Sequence, residues 1–145
     1  MSMEVRELMT TDVVSITPEE SAALAARLLA RHNLGALPVC TGDGQVEGIV
    51  TDRDIVLRCV AAEHDPLNQP VKEIMSGQVE TVSPSDPVKR AAQIMADCQI
   101  RRLPVMEGNK LVGMISLGDI AKRHGCLMEA AEALEEISEN CRRAK

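Results

Sequence analysis

The chain has 145 residues, 45% of them hydrophobic, and a formal net charge of -6 at pH 7. That length fits one compact unit or two small intimate ones, and the acidic balance argues against nucleic-acid binding, where affinity rests on Lys and Arg. No apolar run reaches the length of a membrane span, and Met1-Ser2-Met3-Glu4 lacks the basic and apolar parts of a secretory signal, so a soluble cytoplasmic protein is expected.

Residues 5–9 read as a short lead-in turn and 12–16 as a strand rich in Val and Ile. Thr17-Pro18-Glu19-Glu20 predicts a helix start, with Thr17 as cap, Pro18 at the first position and Glu20 completing a capping box. Ala22, Ala25, Ala26 and Leu29 then share one face, widened by Leu28, and Asn33-Leu34-Gly35 marks the helix end. A strand over 37–40, a turn at Gly42-Asp43-Gly44, a strand over 46–50 and a helix from Asp52 to about Ala62 follow. In the stretch His64 to Pro70 two prolines stop the helix.

The second half repeats this order. A strand is expected over 79–82, then a helix with Val88, Ala91, Ala92, Met95 and Cys98 as its core stripe. Ser83 and Asp86 compete as its cap, since Pro87 suits a first helical position better than a fourth. Strands over 103–106 and 111–115 precede a helix from about Leu117. A last helix, from Leu127 to about Arg143, carries Leu127, Ala130, Ala131, Leu134, Ile137 and Cys141 as an apolar stripe, which needs its own module or a partner subunit to pack on.

Laid on itself, the chain is two homologous halves and a tail. Val5-Arg6-Glu7-Leu8-Met9-Thr10 returns as Val71-Lys72-Glu73-Ile74-Met75-Ser76, and Leu37-Pro38-Val39 as Leu103-Pro104-Val105. The boundaries are repeat 1 over 3–64, a linker over 65–70, repeat 2 over 71–123 and a C-terminal helix over 126–143. Each half closes on one motif: Gly48-Ile49-Val50-Thr51-Asp52-Arg53-Asp54-Ile55 and Gly113-Met114-Ile115-Ser116-Leu117-Gly118-Asp119-Ile120.

In both copies a strand runs into a helix, and a carboxylate stands three residues past a hydroxyl. One reading is a capping box that ties up free N–H groups at the helix start. The other is a nucleotide site, in which the carboxylate accepts ribose hydroxyls while the hydroxyl and helix start face phosphate. Two copies in matched surroundings favour the second.

Cys40, Cys59, Cys98, Cys126 and Cys141 form no C-x-x-C pair, and an odd count closes no disulfide framework, so most are expected as small core fillers. His32, His64 and His124 are equally dispersed and define no metal cluster. Catalytic signatures such as a Walker loop, a G-x-S-x-G elbow or H-E-x-x-H are missing, so a non-enzyme needing no cofactor is expected. Phe, Tyr and Trp are all absent, so a bound base has to rest on aliphatic side chains or backbone.

The doubled lead-in, x-P helix start, L-P-V strand and T/S-x-x-D closure resemble a tandem pair of CBS domains, the regulatory repeat of cystathionine β-synthase, over about Met3 to Arg123. The resemblance implies an α/β (α+β) fold of two βαββα repeats packed with pseudo-two-fold symmetry, plus the C-terminal helix. It implies a sensor of AMP, ADP, ATP or S-adenosylmethionine, bound in clefts between the repeats. Thr51 and Asp54 would serve one cleft with Val79 and Glu80, and Ser116 and Asp119 the other with Val13 and Val14. A homodimer and an unidentified protein partner are also implied. The competing expectation is a ligand-independent dimerisation or interaction module acting through the C-terminal helix.

The two clefts differ in charge. Arg101-Arg102 precedes the second L-P-V where the first repeat has Gly35-Ala36, and Arg53 stands beside Asp54 where the second repeat has Gly118. Guanidinium forks suit phosphate oxygens, so phosphate preference is expected to differ between the clefts.

Overall fold

The computed structural model describes residues 3–122 and 127–143. Nine regular elements follow in chain order: α1 (Ala22–His32), β1 (Ala36–Cys40), β2 (Val46–Thr51), α2 (Asp52–Ile55), α3 (Val88–Cys98), β3 (Arg102–Glu107), β4 (Lys110–Ser116), α4 (Leu117–Ala121) and α5 (Leu127–Arg143). They form two compact units, residues 14–79 and residues 1–13 with 80–145. Each unit holds a two-stranded antiparallel sheet, β1 with β2 or β3 with β4. Among the described residues no helix is long and apolar enough to cross a membrane.

The units do not coincide with the sequence repeats, because each lead-in turn packs into the body of the other repeat. Val5–Glu7 and Val71–Glu73 are single 3-10 turns whose first valines are fully buried. Val5 belongs to the core of the β3–β4 unit, with Met95, Leu103 and Ile115. Val71 and Ile74 belong to the core of the β1–β2 unit, with Leu37, Val39 and Val50. Burying a side chain of this kind contributes about 1.5–3 kcal/mol, so each exchanged turn is a substantial part of its host core.

The sheets are wider than their named strands. Ile16 bridges Val39 in parallel and Ser76 bridges Ile49 antiparallel, flanking β1–β2 on both sides. Val82 bridges Val105 and Thr10 bridges Met114 in the same way around β3–β4. The glycines opening the repeated motif make this possible. A Cβ on Gly48 would lie 2.6 Å from the Ser76 carbonyl oxygen, and one on Gly113 would lie 2.9 Å from that of Thr10.

The predicted strands over 12–16 and 79–82 are therefore corrected to single bridging residues. Ile16 donates to the Pro38 carbonyl and accepts from Cys40 N, but Asp12 and Ser15 stay exposed, so one residue rather than a ladder is paired. The first helix starts four residues later than Thr17-Pro18 suggests. Ser21 is its cap, accepting from Leu24 N at 3.1 Å. The carbonyls of Pro18 and Glu20 accept from Lys72 and Val71 N–H, while Ala22 and Ala23 donate to Gln69 and Pro66. The expected linker thus staples the start of α1, with Gln69 buried and bonded to His64 and Glu73.

Neither Ser83 nor Asp86 caps α3. Pro87 occupies the cap position, Val88 N–H donates to the Met3 carbonyl, and Asp86 Oδ2 instead accepts from Ser83 N at 2.8 Å. Ala26 and Cys98 are exposed, and Ala96 takes the place in the core expected of Cys98. Asn33 ends α1 in the left-handed region at φ 53°, as its position suggests, and Gln99 does the same for α3 at φ 58°. Past α2 the chain continues through Val56–Val60 with π-helical spacing, ending two residues short of the expected Ala62.

Helix α5 packs within its own unit, against α3 and α4. Among its described side chains the buried ones are Ala130, Ala133 and Ile137, whereas Ala131 and Leu134 of the expected stripe are exposed. The helix lies between two neighbours, which turns its inner face by one position. Cys126 and His124 lie outside the described residues, as do the side chains of Leu127 and Cys141. Cys40 and Cys59 are buried.

Candidate functional site

Each copy of the repeated motif is built as a strand-to-helix corner. The antiparallel register pairs Ala36 with Thr51 and Arg102 with Ser116, so the residues before each L-P-V strand end beside the hydroxyl that opens the next helix. Leu117 N–H also donates to the Arg101 carbonyl at 2.8 Å, locking α4 to the start of β3.

Both corners are reciprocal capping boxes. Asp54 N–H donates to Thr51 Oγ1 at 3.1 Å, and Asp54 Oδ2 accepts from Thr51 N at 3.0 Å. In the second copy Asp119 N–H donates to Ser116 Oγ at 3.1 Å, and Asp119 Oδ2 accepts from Ser116 N at 2.9 Å. The capping role is therefore real, and it holds each carboxylate in a fixed orientation with one oxygen committed. The Asp54 Oδ1 oxygen lies 4.0 Å from Arg58 Nε, while among the described residues Asp119 Oδ1 makes no hydrogen bond or ion pair.

Arg58 was not singled out by the motif. Its Nη1 donates to the Ile74 carbonyl at 3.1 Å and to that of Met75 at 3.4 Å, so it joins the Asp54 corner to the exchanged lead-in turn. The i,i+4 spacing from Asp54 was the available signal. Arg53 is exposed, and its N–H donates to its neighbour Asp52.

The second corner opens on a cavity of about 510 Å³. Arg101, Arg102 and Ser116 supply its polar side. Leu117, Gly118 and Ala121 of α4 and Ala130, Ala131 and Leu134 of α5 line the rest. Both arginines are exposed and, among the described residues, neither is in an ion pair. Three of the anticipated residues, Arg101, Arg102 and Ser116, thus line one pocket. Asp119 faces back towards the backbone of Ser116 and is not among the lining residues.

Gly35 is half-buried and Ala36 buried at the Thr51 corner. Val14 and Val79 belong to the unit of Thr51 and Asp54, and Val13 and Glu80 to the unit of Ser116 and Asp119. The three valines are half-buried and Glu80 is exposed. Cys98 has its thiol pushed above the ordinary range, by desolvation first and then by the charges of Glu80 and Asp97. Among the described residues no group of three or more His, Cys, Asp or Glu converges as a metal site.

The duplicated corner, doubled L-P-V strand and exchanged lead-in turns define a tandem-repeat module. The family model for the CBS domain matches residues 5–60 and 71–124, and the chain belongs to the CBS domain family. It is 41% identical over 134 residues to the CBS domain-containing protein YhcV of Bacillus subtilis, covering 92% of this chain and 94% of that one. Hypoxic response protein 1 of Mycobacterium tuberculosis is 32% identical over 117 residues, 81% of this chain and 82% of its own. Among solved structures, the CBS domain protein PAE2072 from Pyrobaculum aerophilum, complexed with AMP, is similar with a TM-score of 0.79 and 30% identity, covering 89% of this chain and 98% of that one.

Proposed function

We propose that the chain is a non-catalytic regulatory sensor that binds adenosine-containing ligands at its two strand-to-helix corners and signals to a partner protein. The observation that carries the reading is the cavity at the second corner, where Arg101, Arg102 and Ser116 face one space with an aliphatic wall. Guanidinium groups recognise phosphate oxygens, and without aromatic rings a base rests on aliphatic side chains or backbone. The AMP held by PAE2072 supports the same ligand class. At each corner the Asp holds one oxygen on its cap; Asp119, beside the cavity rather than in its lining, keeps Oδ1 for a ribose hydroxyl, whereas Asp54 Oδ1 stands 4.0 Å from Arg58 Nε.

In this reading AMP, ADP, ATP and S-adenosylmethionine are the candidate ligands, with the phosphorylated ones favoured at the Arg101-Arg102 corner. The protein works in the cytoplasm as a homodimer, needs no resident cofactor, and regulates an activity on another polypeptide. A ligand shifts such a module only through unequal affinity for its states.

The chain has no Trp or Tyr to absorb near 280 nm. Purified protein is therefore scanned for adenine absorbance, its small molecules are released and chromatographed, and the stripped protein is titrated with each candidate. Binding is expected, and it should fall at least tenfold, about 1.4 kcal/mol, in the Asp54→Asn, Asp119→Asn double variant. Absence of binding to all four ligands would sink the sensor reading.

A second reading has one observation in its favour: both carboxylates already complete capping boxes. If that is their whole role, the protein is a ligand-independent interaction module acting through α5. The double variant would then lose about 1 kcal/mol of stability per corner, with no ligand binding to lose.

A further inference from the structure

The cavity at the second corner is not made by the repeat alone. Ala130, Ala131 and Leu134 come from α5, which lies beyond the matched repeat at residues 71–124. Helix α5 is held by Ala130, Ala133 and Ile137 against α3 and α4, leaving Leu134 44% exposed at the cavity edge. A large aliphatic side chain is thus left only partly covered at the cavity edge. The two arginines and Ser116 line the same cavity, so it joins cationic and polar groups to aliphatic ones.

We infer that α5 is the base-side wall of the second ligand site, with Leu134 and Ala131 covering the apolar body of a ligand whose phosphate meets Arg101 and Arg102. This deepens the sensor reading and rests on it. No aromatic side chain exists to stack on a base, so covering a flat purine falls to aliphatic side chains or backbone, and in this cavity Ala130, Ala131 and Leu134 of α5 join Leu117 and Ala121 of α4 as the aliphatic lining. Occupancy and α5 docking are then coupled: a ligand that touches both α4 and α5 holds the helix in place, and by linkage a docked helix raises affinity. The segment outside the repeats thereby becomes the part of the molecule that reports occupancy.

The test uses the full chain in an Asp54→Asn background, so that the second corner is the site read, with AMP and ATP as probes. Leu134→Glu places a carboxylate where the base is to lie; the residue is partly exposed, so the fold should persist. Calorimetric affinity is expected to fall at least tenfold in Leu134→Glu and in Arg102→Ala, while Leu134→Met stays within about threefold of the parent. In the chain without the Leu134 change, saturating AMP is expected to slow amide exchange across α5. The inference is overturned if Leu134→Glu stays within threefold while Arg102→Ala loses binding, a result that leaves the sensor reading standing. It is also overturned if α5 exchange is unchanged at saturation. No binding of AMP or ATP to the wild-type chain overturns this inference, and the sensor reading falls with it only if ADP and S-adenosylmethionine also fail to bind.

Discussion

The Thr51–Asp54 and Ser116–Asp119 corners have the same local geometry and different neighbours. Their capping hydrogen bonds agree within 0.1 Å, 3.1 and 3.0 Å in one and 3.1 and 2.9 Å in the other. Around the first, Arg58 reaches the free carboxylate oxygen and two lead-in carbonyls, and the chain runs on through Val56–Val60 with Val56, Leu57 and Val60 exposed. Around the second, α5 lies against α4 and a cavity opens towards two arginines. A duplicated motif thus sets the backbone of a corner, and the chemistry comes from side chains that the duplication did not copy.

What the two halves share most strictly is the close approach at Gly48 and Gly113, and breaking it should have the largest effect. Gly48→Val and Gly113→Val each drive a side chain into a lead-in carbonyl. Each is expected to cost about 3 kcal/mol in urea unfolding. A loss below about 0.5 kcal/mol at either site would mean that the lead-in turn is not anchored there.

Arg58→Ala should sharpen the contrast. It removes hydrogen bonds to Ile74 and Met75 that tie only the first corner to its lead-in. Because the guanidinium is more than half exposed, the expected cost is about 1 kcal/mol, with faster amide exchange in 71–76 and none of the effect in 5–10. Equal acceleration of both lead-ins would contradict a local role.

The smallest effect concerns the helix ends, where α1 finishes on His32 and α3 on Cys98. The raised pKa of Cys98 leaves less thiolate at pH 8 than an ordinary exposed thiol has, so its alkylation should be slow. Glu80→Gln removes one raising charge and should speed that alkylation about twofold in a Cys126→Ser, Cys141→Ser background. An unchanged rate would remove Glu80 as a cause. Cys40, its thiol raised chiefly by burial and partly lowered by the nearby Ser15, should stay unreactive in the native protein.

Much of this architecture was legible because it is local. Asn33 announces a left-handed helix end, and the L-P-V strands and their hairpins follow from apolar runs bounded by turn residues. The misreadings share one cause, partners far away in sequence. Thr17-Pro18-Glu19-Glu20 is a sound local capping box, yet the carbonyls of Pro18 and Glu20 are claimed by Lys72 and Val71. Cys98 and Ala96 both fit a helical stripe, and only the packing of α3 chooses Ala96. The capping Asp and hydroxyl of both corners were readable from spacing, and the difference in charge at Arg101 and Arg102 from the mismatch between halves. The contribution of Leu134 was not, because helical periodicity assigns it to the core.

The exchange of lead-in turns also sets an order of events during synthesis. Residues 14–79 are contiguous and hold all the described members of their core cluster, so that unit can close while the chain is still being made. Residues 3–13 are translated before it but must wait. Val5 N–H bonds to the Asp86 carbonyl and Thr10 N–H to that of Met114, groups that do not exist until much later. A nascent chain therefore carries an early segment with no place to go, and a ribosome paused between the two halves would hold it exposed to proteases and chaperones.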